Sequence, residues 1–243
     1  MYDIIQNMNS LHNETPKKSK FYCAPEDYYN SIAEIYDAQK KKNLYYFQNL
    51  VNLYKSFIVS NSTIIEIGSG TGDLITYLDA KEGVGFDVSE KMVKVAQEKY
   101  AGKKNIKYER HNIFDSGELF NADYIILADV LEHIENLEAF LNQLYSRTQK
   151  QSKVIISVVN PIWEWAMSLA EKLNMKIPEG PSERISVLET EILFKKAGFN
   201  IQERGYRFLI PKRIPFSNLI NKLFYKNKFF AKYGFTVYWI LSK

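Results

Sequence analysis

The chain has 243 residues, is 46% hydrophobic and carries a formal net charge of +4. That length buries one large core and lies near the size at which a second would form, so one domain with additions is expected. The single cysteine, Cys23, excludes an intramolecular disulfide and any multi-thiolate zinc site, and three histidines with no cluster at ligand spacing predict no metal.

In chain order, residues 1 to about 20 are polar and contain NETPKKSK, which reads as a poorly ordered tail. The start lacks a basic region followed by an apolar stretch, and no apolar run reaches the length of a membrane span. A cytoplasmic protein is expected on that basis. From Tyr28 to Ser60 apolar residues recur at helical spacing, at Ile32, Ile35 and Tyr36, then Leu44, Phe47, Leu50, Val51 and Leu53. Two helices therefore precede a sheet, and residues 1–61 form a tail and cap ahead of a main domain at 62–243.

From Thr63 to Val159 apolar β-branched runs alternate with helical patterns at Leu74 to Leu78, Ser89 to Tyr100 (Ser89 as cap) and Ile134 to Arg147. Such alternation predicts a parallel sheet with right-handed crossovers. The first run, TIIEIGSGTGDL, stops at Gly68-Ser69-Gly70-Thr71-Gly72, and alternating glycines after a buried strand let backbone approach a flat ligand closely. Asp87 ends the next run, EGVGFD, about twenty residues on, where nucleotide-binding α/β folds place the carboxylate that takes ribose hydroxyls. Where a dinucleotide fingerprint has its third glycine, this chain has Asp73, whose charge suits a helix start but repels a phosphate. No lysine follows the glycines as a phosphate loop requires. The pattern fits an adenosine-bearing cofactor with no phosphate and a cationic tail.

Beyond Pro161 the pattern changes. IWEWAMSLAEKLNM reads as an aromatic-rich amphipathic helix and IPEGPSERIS as a loop, an insertion (161–186) over the carboxyl end of the sheet, where ligands bind. Ser186 caps the next helix with Glu189 as capping-box partner, and Gly198 ends it. Between the last two strands lies a long basic and aromatic segment (211–233), and from Arg204 to the end nine arginines and lysines meet no carboxylate.

With Glu66 in front, E-I-G-S-G-T-G closely resembles motif I of class I S-adenosylmethionine-dependent methyltransferases of small-molecule type. GFDVSEKMVKVA resembles the family's second-strand motif, RHNIFD its third-strand turn, and ADYIILADVLEHIENL its fourth-strand motif. VIISVVNP, GFNIQERGYRFLI and FTVYWILS resemble its last three strands. The resemblance implies a Rossmann-like, seven-stranded, mostly parallel sheet with N-terminal cap helices and a lid after strand five. It also implies S-adenosyl-L-methionine held by Glu66, Gly68, Ser69, Gly70 and Gly72, by Asp87 at the ribose, and by Val88 and Met92 against the adenine. Asn112 and Ile113 would stand near the adenine amine, where the family usually carries an acid, and Ala128, Asp129 and Leu131 would edge the methyl-donor pocket.

Methyl transfer from a sulfonium is an in-line displacement, so positioning does most of the work. Where the acceptor is a hydroxyl or a protonated amine a base must also take a proton. His133 is the candidate catalytic base, read as standing in the first turn of a helix whose dipole favours the neutral imidazole, with Glu132 opposing. Tyr28, Tyr29 and Tyr36 fit either a core helix face or the family's closing element, which places Tyr29 at the cofactor and Tyr36 at the acceptor. Trp163 and Trp165 of the lid favour an acceptor with apolar surface. The Lys40-Lys41-Lys42 run reads as a solvated face, although one lysine could reach the methionine carboxylate.

The function expected is methyl transfer to an O or N atom of a small molecule, apolar or lipid-linked. An RNA methyltransferase and a non-catalytic cofactor-binding regulator are the alternatives. Nucleic acid is disfavoured, since no Asn-Pro-Pro-aromatic motif follows strand four and no Pro-Cys pair occurs. The basic C-terminal segment suits peripheral contact with a membrane.

Overall fold

The computed structural model describes residues 25–115, 117, 119–173, 185–213, 215–224 and 231–243. The expected tail, Cys23 and most of the IPEGPSERIS loop lie outside the described residues.

Seven strands form one sheet: β1 (Thr63–Ile67), β2 (Glu82–Asp87), β3 (Ile106–Arg110), β4 (Tyr124–Ala128), β5 (Lys153–Val159), β6 (Asn200–Arg207) and β7 (Thr236–Ser242). Their order is β3-β2-β1-β4-β5-β7-β6, with β7 antiparallel to both neighbours and the rest parallel. The central parallel strands β4 and β5 are nearly continuous apolar runs because both of their faces are covered, whereas the edge strand β3, IKYER, exposes Lys107, Glu109 and Arg110. Ile64, Ile126, Ile155 and Tyr238 face one core cluster; Ile65, Ile125, Leu127 and Trp239 face the other. Between β1 and β4 the strand order reverses, which opens a crevice at their carboxyl ends.

Two helices precede the sheet, α1 (Pro25–Lys40) and α2 (Leu44–Lys55), separated by a 3-10 turn. The buried Tyr54 of α2 donates its hydroxyl to the Leu127 carbonyl at 2.7 Å and lies 3.0 Å from Ser157 Oγ, fastening the cap to β4 and β5. Further on come α3 (Asp73–Thr76), α4 (Glu90–Lys99), α5 (Leu137–Arg147), α6 (Glu164–Lys172), α7 (Val187–Ala197) and α8 (Ser217–Phe224).

Local signals placed several boundaries correctly. Ser89 caps α4 by accepting from the Met92 amide, the Ser186–Glu189 capping box forms at α7, and Gly198 ends α7 at φ 104°. Two boundaries differ from expectation. The helix expected over Leu74 to Leu78 is a single turn from Asp73 to Thr76. The helix expected from Ile134 starts at Leu137, because Asn136 caps it by accepting from the Ala139 amide, and Leu131–His133 is a separate 3-10 turn.

The segment expected to form a lid begins where the Asn160 side chain caps a 3-10 turn at Pro161–Trp163 that runs into α6. The same amide group donates to the carbonyls of Lys232 and Gly234, joining the lid to the chain entering β7. Removing the Tyr54 hydroxyl should test the cap's attachment. Tyr54→Phe is expected to lower the stability measured by denaturant unfolding by about 1–3 kcal/mol, with an unchanged slope.

Candidate active site

The glycine turn takes backbone angles that side chains resist: φ is 76° at Gly68, 52° at Gly70 and 83° at Gly72. A Cβ on Gly68 would come within 2.5 Å of Val130, and the Gly68 and Ser69 amides both donate to the Phe86 carbonyl. The buried Asp87 carboxylate accepts from the Gly70 amide at 2.7 Å and the Ser89 amide at 2.9 Å, so the end of β2 fixes the turn. Beside it the buried Glu66 accepts from the Ile75 amide at 3.0 Å. Burial pushes the Glu66 carboxyl up to about 8, only partly offset by that amide and by Lys40.

An ionic cluster closes the other side of the turn. Asp73 pairs with Lys40 at 2.8 Å and Lys99 at 2.7 Å and accepts from the Tyr100 hydroxyl. Burial alone would raise this carboxyl, but the two lysines and Tyr100 hold it down to about 2. Lys99 also pairs with Asp37, which accepts from the Thr71 hydroxyl, so α1 is bolted to the turn and to α4.

Between α1, the carboxyl ends of the sheet and the lid lies a cavity of about 580 Å³. One end is lined by Phe86, Val88, Met92, His111 and Ile113. His111 packs on Phe86 with ring centres 4.7 Å apart, and Arg147 approaches its Nε2 at 2.9 Å; burial first, then Arg147, keeps this imidazole below its usual pKa. In the middle, Tyr29 Oη lies 3.1 Å from His133 Nε2 with the rings edge to face, and burial holds the Tyr29 phenol protonated. Tyr46 donates to Asp129 at 2.8 Å, and Asp129, at a left-handed φ of 55°, is one of the residues lining the cavity. The far end is walled by Trp163, Met167, Phe235 and Lys212.

Most of the expected site residues meet there. Glu66, Gly68, Ser69, Gly70, Asp87, Val88, Met92, Asn112, Ile113, Ala128, Asp129, His133, Tyr29, Tyr36 and Trp163 all line this one cavity. Five expectations need correction. Gly72 does not line it but lies where a Cβ would strike the Tyr108 ring, so its absent side chain serves the turn and the packing. Leu131 packs into the core cluster beneath. Trp165 stands 67% exposed, stacked on the outer side of Trp163, and does not line the cavity. His133 ends a 3-10 turn four residues before α5, so the dipole argument for its neutral form does not apply; the Tyr29 hydroxyl is its partner instead. Lys40 is no solvated residue: it is drawn in by Asp73 and by the Phe47 ring, 4.6 Å from its nitrogen, and it lines the cavity.

Asn112 is placed as expected, but its amide oxygen accepts from the Phe114 amide at 3.0 Å and thus shapes its own turn. Tyr46, Phe47, His111, Lys212 and Phe235 were not singled out as site residues. Tyr46 and Phe47 sit among helix-face aromatics and Lys212 and Phe235 lie far off in sequence, so no local signal marks them; His111 stands next to Asn112 in RHNIFD, and that motif is the signal for it. Among the described residues no group of three His, Cys, Asp or Glu side chains is placed to hold a metal ion, and no helix is long and apolar enough to cross a membrane.

A methyltransferase-domain family model matches residues 38–204. The chain belongs to that family, in the class I group whose cofactor is S-adenosylmethionine. A sequence search of curated proteins finds no match. Among solved structures, magnesium protoporphyrin IX methyltransferase from Synechocystis PCC 6803 with bound S-adenosylhomocysteine is similar in fold: TM-score 0.64, 17% identity, 90% of this chain and 97% of that one covered. An S-adenosylmethionine-dependent methyltransferase of Thermotoga maritima, described as a possible histamine N-methyltransferase, gives a TM-score of 0.66 at 14% identity over 90% of this chain and 99% of that one.

The elevated Glu66 pKa has a measurable consequence. Its folded-state value of about 8 lies above the ordinary 4.5, so the folded protein keeps a proton that the unfolded chain releases as pH rises through that interval. That contribution to stability is complete below about pH 4.5 and lost by about pH 8. Thermal melts of the ligand-free protein should therefore fall relative to Glu66→Gln as pH rises between these values; parallel curves would show that Glu66 does not titrate there.

Proposed function

We propose that the protein transfers the methyl group of S-adenosylmethionine to an O or N atom of a small acceptor with apolar surface. The observation that carries this reading is the single cavity running from the glycine turn to the lid, walled by Tyr29, Tyr36, Trp163, Met167 and Phe235. Its volume suits a cofactor together with a small partner. An acceptor space filled by the lid would instead have suited a binding protein without turnover, and an RNA acceptor, whose unpaired bases also stack on aromatic rings, is distinguished by the labelled product.

The residues present fit the cofactor. Asp87 stands where ribose hydroxyls would donate, Val88, Met92 and Ile113 offer apolar faces to an adenine, and near the glycine turn Lys40 supplies a positive charge and Glu66 a carboxyl that burial keeps protonated up to about pH 8. When bound, the cofactor supplies an electrophilic methyl group on a sulfonium. The aromatic faces of Tyr29 and Tyr36 suit such a cation and exclude water. In this reading the Tyr29 hydroxyl, 3.1 Å away, donates to His133 Nε2 in the tautomer that leaves that nitrogen unprotonated, until an acceptor O–H or N–H takes its place. The acceptor's proton then goes to Nε2.

Because Asp87 both holds Gly70 and faces the cavity, Asp87→Ala should weaken S-adenosylmethionine binding in calorimetry by about 1–3 kcal/mol. Unchanged affinity in a folded variant would refute the assignment. His133→Ala should lower turnover by about 10²-fold or more with cofactor affinity nearly unchanged, whereas a packing role would lower affinity and stability together. Trp163→Ala should raise the acceptor KM. The acceptor itself is sought by incubating the protein with labelled cofactor and extracts of its host and identifying the labelled product; label recovered in RNA would replace the small-molecule reading.

A further inference from the structure

The helix α8 is built inside out. Its inward face is Ser217 and Asn221, 3% and 4% exposed, while Leu219 and Leu223 stand 53% and 56% exposed with Ile220 and Phe216 beside them. The inversion has a local cause. Asn221 accepts from the Leu209 and Ile210 amides at 2.8 and 2.9 Å and donates to the Ile210 carbonyl and the Tyr45 hydroxyl. These four bonds satisfy a buried amide completely and hold the helix with its leucines outward.

The lid repeats the arrangement. Its inward side, Trp163, Ala166, Met167 and Ala170, lines the cavity, and its outward side carries Ile162, Trp165, Leu169 and Leu173, all about half exposed or more. Both elements stand at the same end of the sheet. The lid leaves the end of β5 at Val159, and α8 lies between Arg207 and Thr236, which pair with each other next to Val159. The Trp163 indole donates to the Tyr233 carbonyl at 2.9 Å, tying the lid to the segment that follows α8. Lys222 lies in α8, Arg213 and Lys232 in the segments that flank it, and no Asp or Glu occurs from Arg207 to Thr236; Glu164 and Glu171 are the acids of α6.

Exposed leucines and tryptophan on two short helices, beside a run of cations and around a cavity mouth, are the pattern of a surface that lies in a lipid interface. A nucleic acid would use the cations and leave the leucines in water. We propose that this carboxyl-end face docks on an anionic membrane surface and that the acceptor enters the cavity from it. The second half rests on the function proposed above; the docking does not.

Sedimentation of the full chain with lipid vesicles tests this. Binding is expected to phosphatidylglycerol-containing vesicles and not to pure phosphatidylcholine, and to weaken as salt is raised. Leu219→Glu with Leu223→Glu, and separately Trp165→Glu with Leu169→Glu, should each lower binding at least tenfold while S-adenosylmethionine affinity by calorimetry stays unchanged; the positions are exposed, so folding should survive. No binding to the anionic vesicles, undiminished binding by both double variants, or retention of single-stranded RNA in place of vesicles would overturn the proposal. Vesicle binding by a protein that fails to bind S-adenosylmethionine would support the docking and defeat the function proposed above.

Discussion

The Asp73 carboxylate, held between Lys40 and Lys99, is the contact on which the site's architecture depends. It sits just past the last glycine of the turn, and its two cations come from the end of α1 and the end of α4. Ala33 is the one fully buried apolar residue of α1, so the helix is held mainly by polar contacts, of which this one, the Asp37 bonds to Thr71 and Lys99 and the Asn30 bonds to Ser89 and Lys91 are part. With them, Tyr29 and Tyr36 are carried over the crevice. A buried pair is weak evidence for net stability, since desolvation offsets much of the attraction, but removing one partner strands the others. Its service is geometric: it makes a wall out of a helix that has little hydrophobic reason to be there.

That wall changes the chemistry of everything facing it. Covered by α1 and the lid, Glu66 loses water and retains its proton far above the usual range, and the Tyr29 and Tyr46 phenols are kept from ionising. The Tyr46–Asp129 and Tyr29–His133 pairs then fix two polar groups in an otherwise apolar chamber. In a site whose reaction needs alignment more than a nucleophile, such fixed groups and excluded water are the contributions the protein can make.

How much of this was legible in the chain depends on whether a feature is local. The strand-turn-strand order, the Ser89 cap, the Ser186–Glu189 box and the Gly198 stop were readable, because each is decided by neighbours within a few residues. The boundary before α5 was misplaced since Asn136, a residue equally at home in a loop, won the cap. The Trp163 and Trp165 rings stack on each other, 6.3 Å apart, but only Trp163 reaches the cavity, and composition alone could not say which of the pair would be the inner one. Lys40 looked like one of three solvated lysines; only folding brings Asp73 to it.

The sequence by itself determined the sheet, the glycine turn and the family, because a buried parallel strand must be a continuous apolar run and a turn with three left-handed residues must be glycine there. It also fixed which residue types could meet a cofactor. The tertiary structure alone decided which of them do: Gly72 and Leu131 were turned to the core, Tyr46 and Phe235 were brought in from distant segments, and α8 was turned over by one asparagine. Periodicity assigns a helix an apolar face, but the side that is buried goes to whichever group has hydrogen bonds it cannot leave unmade.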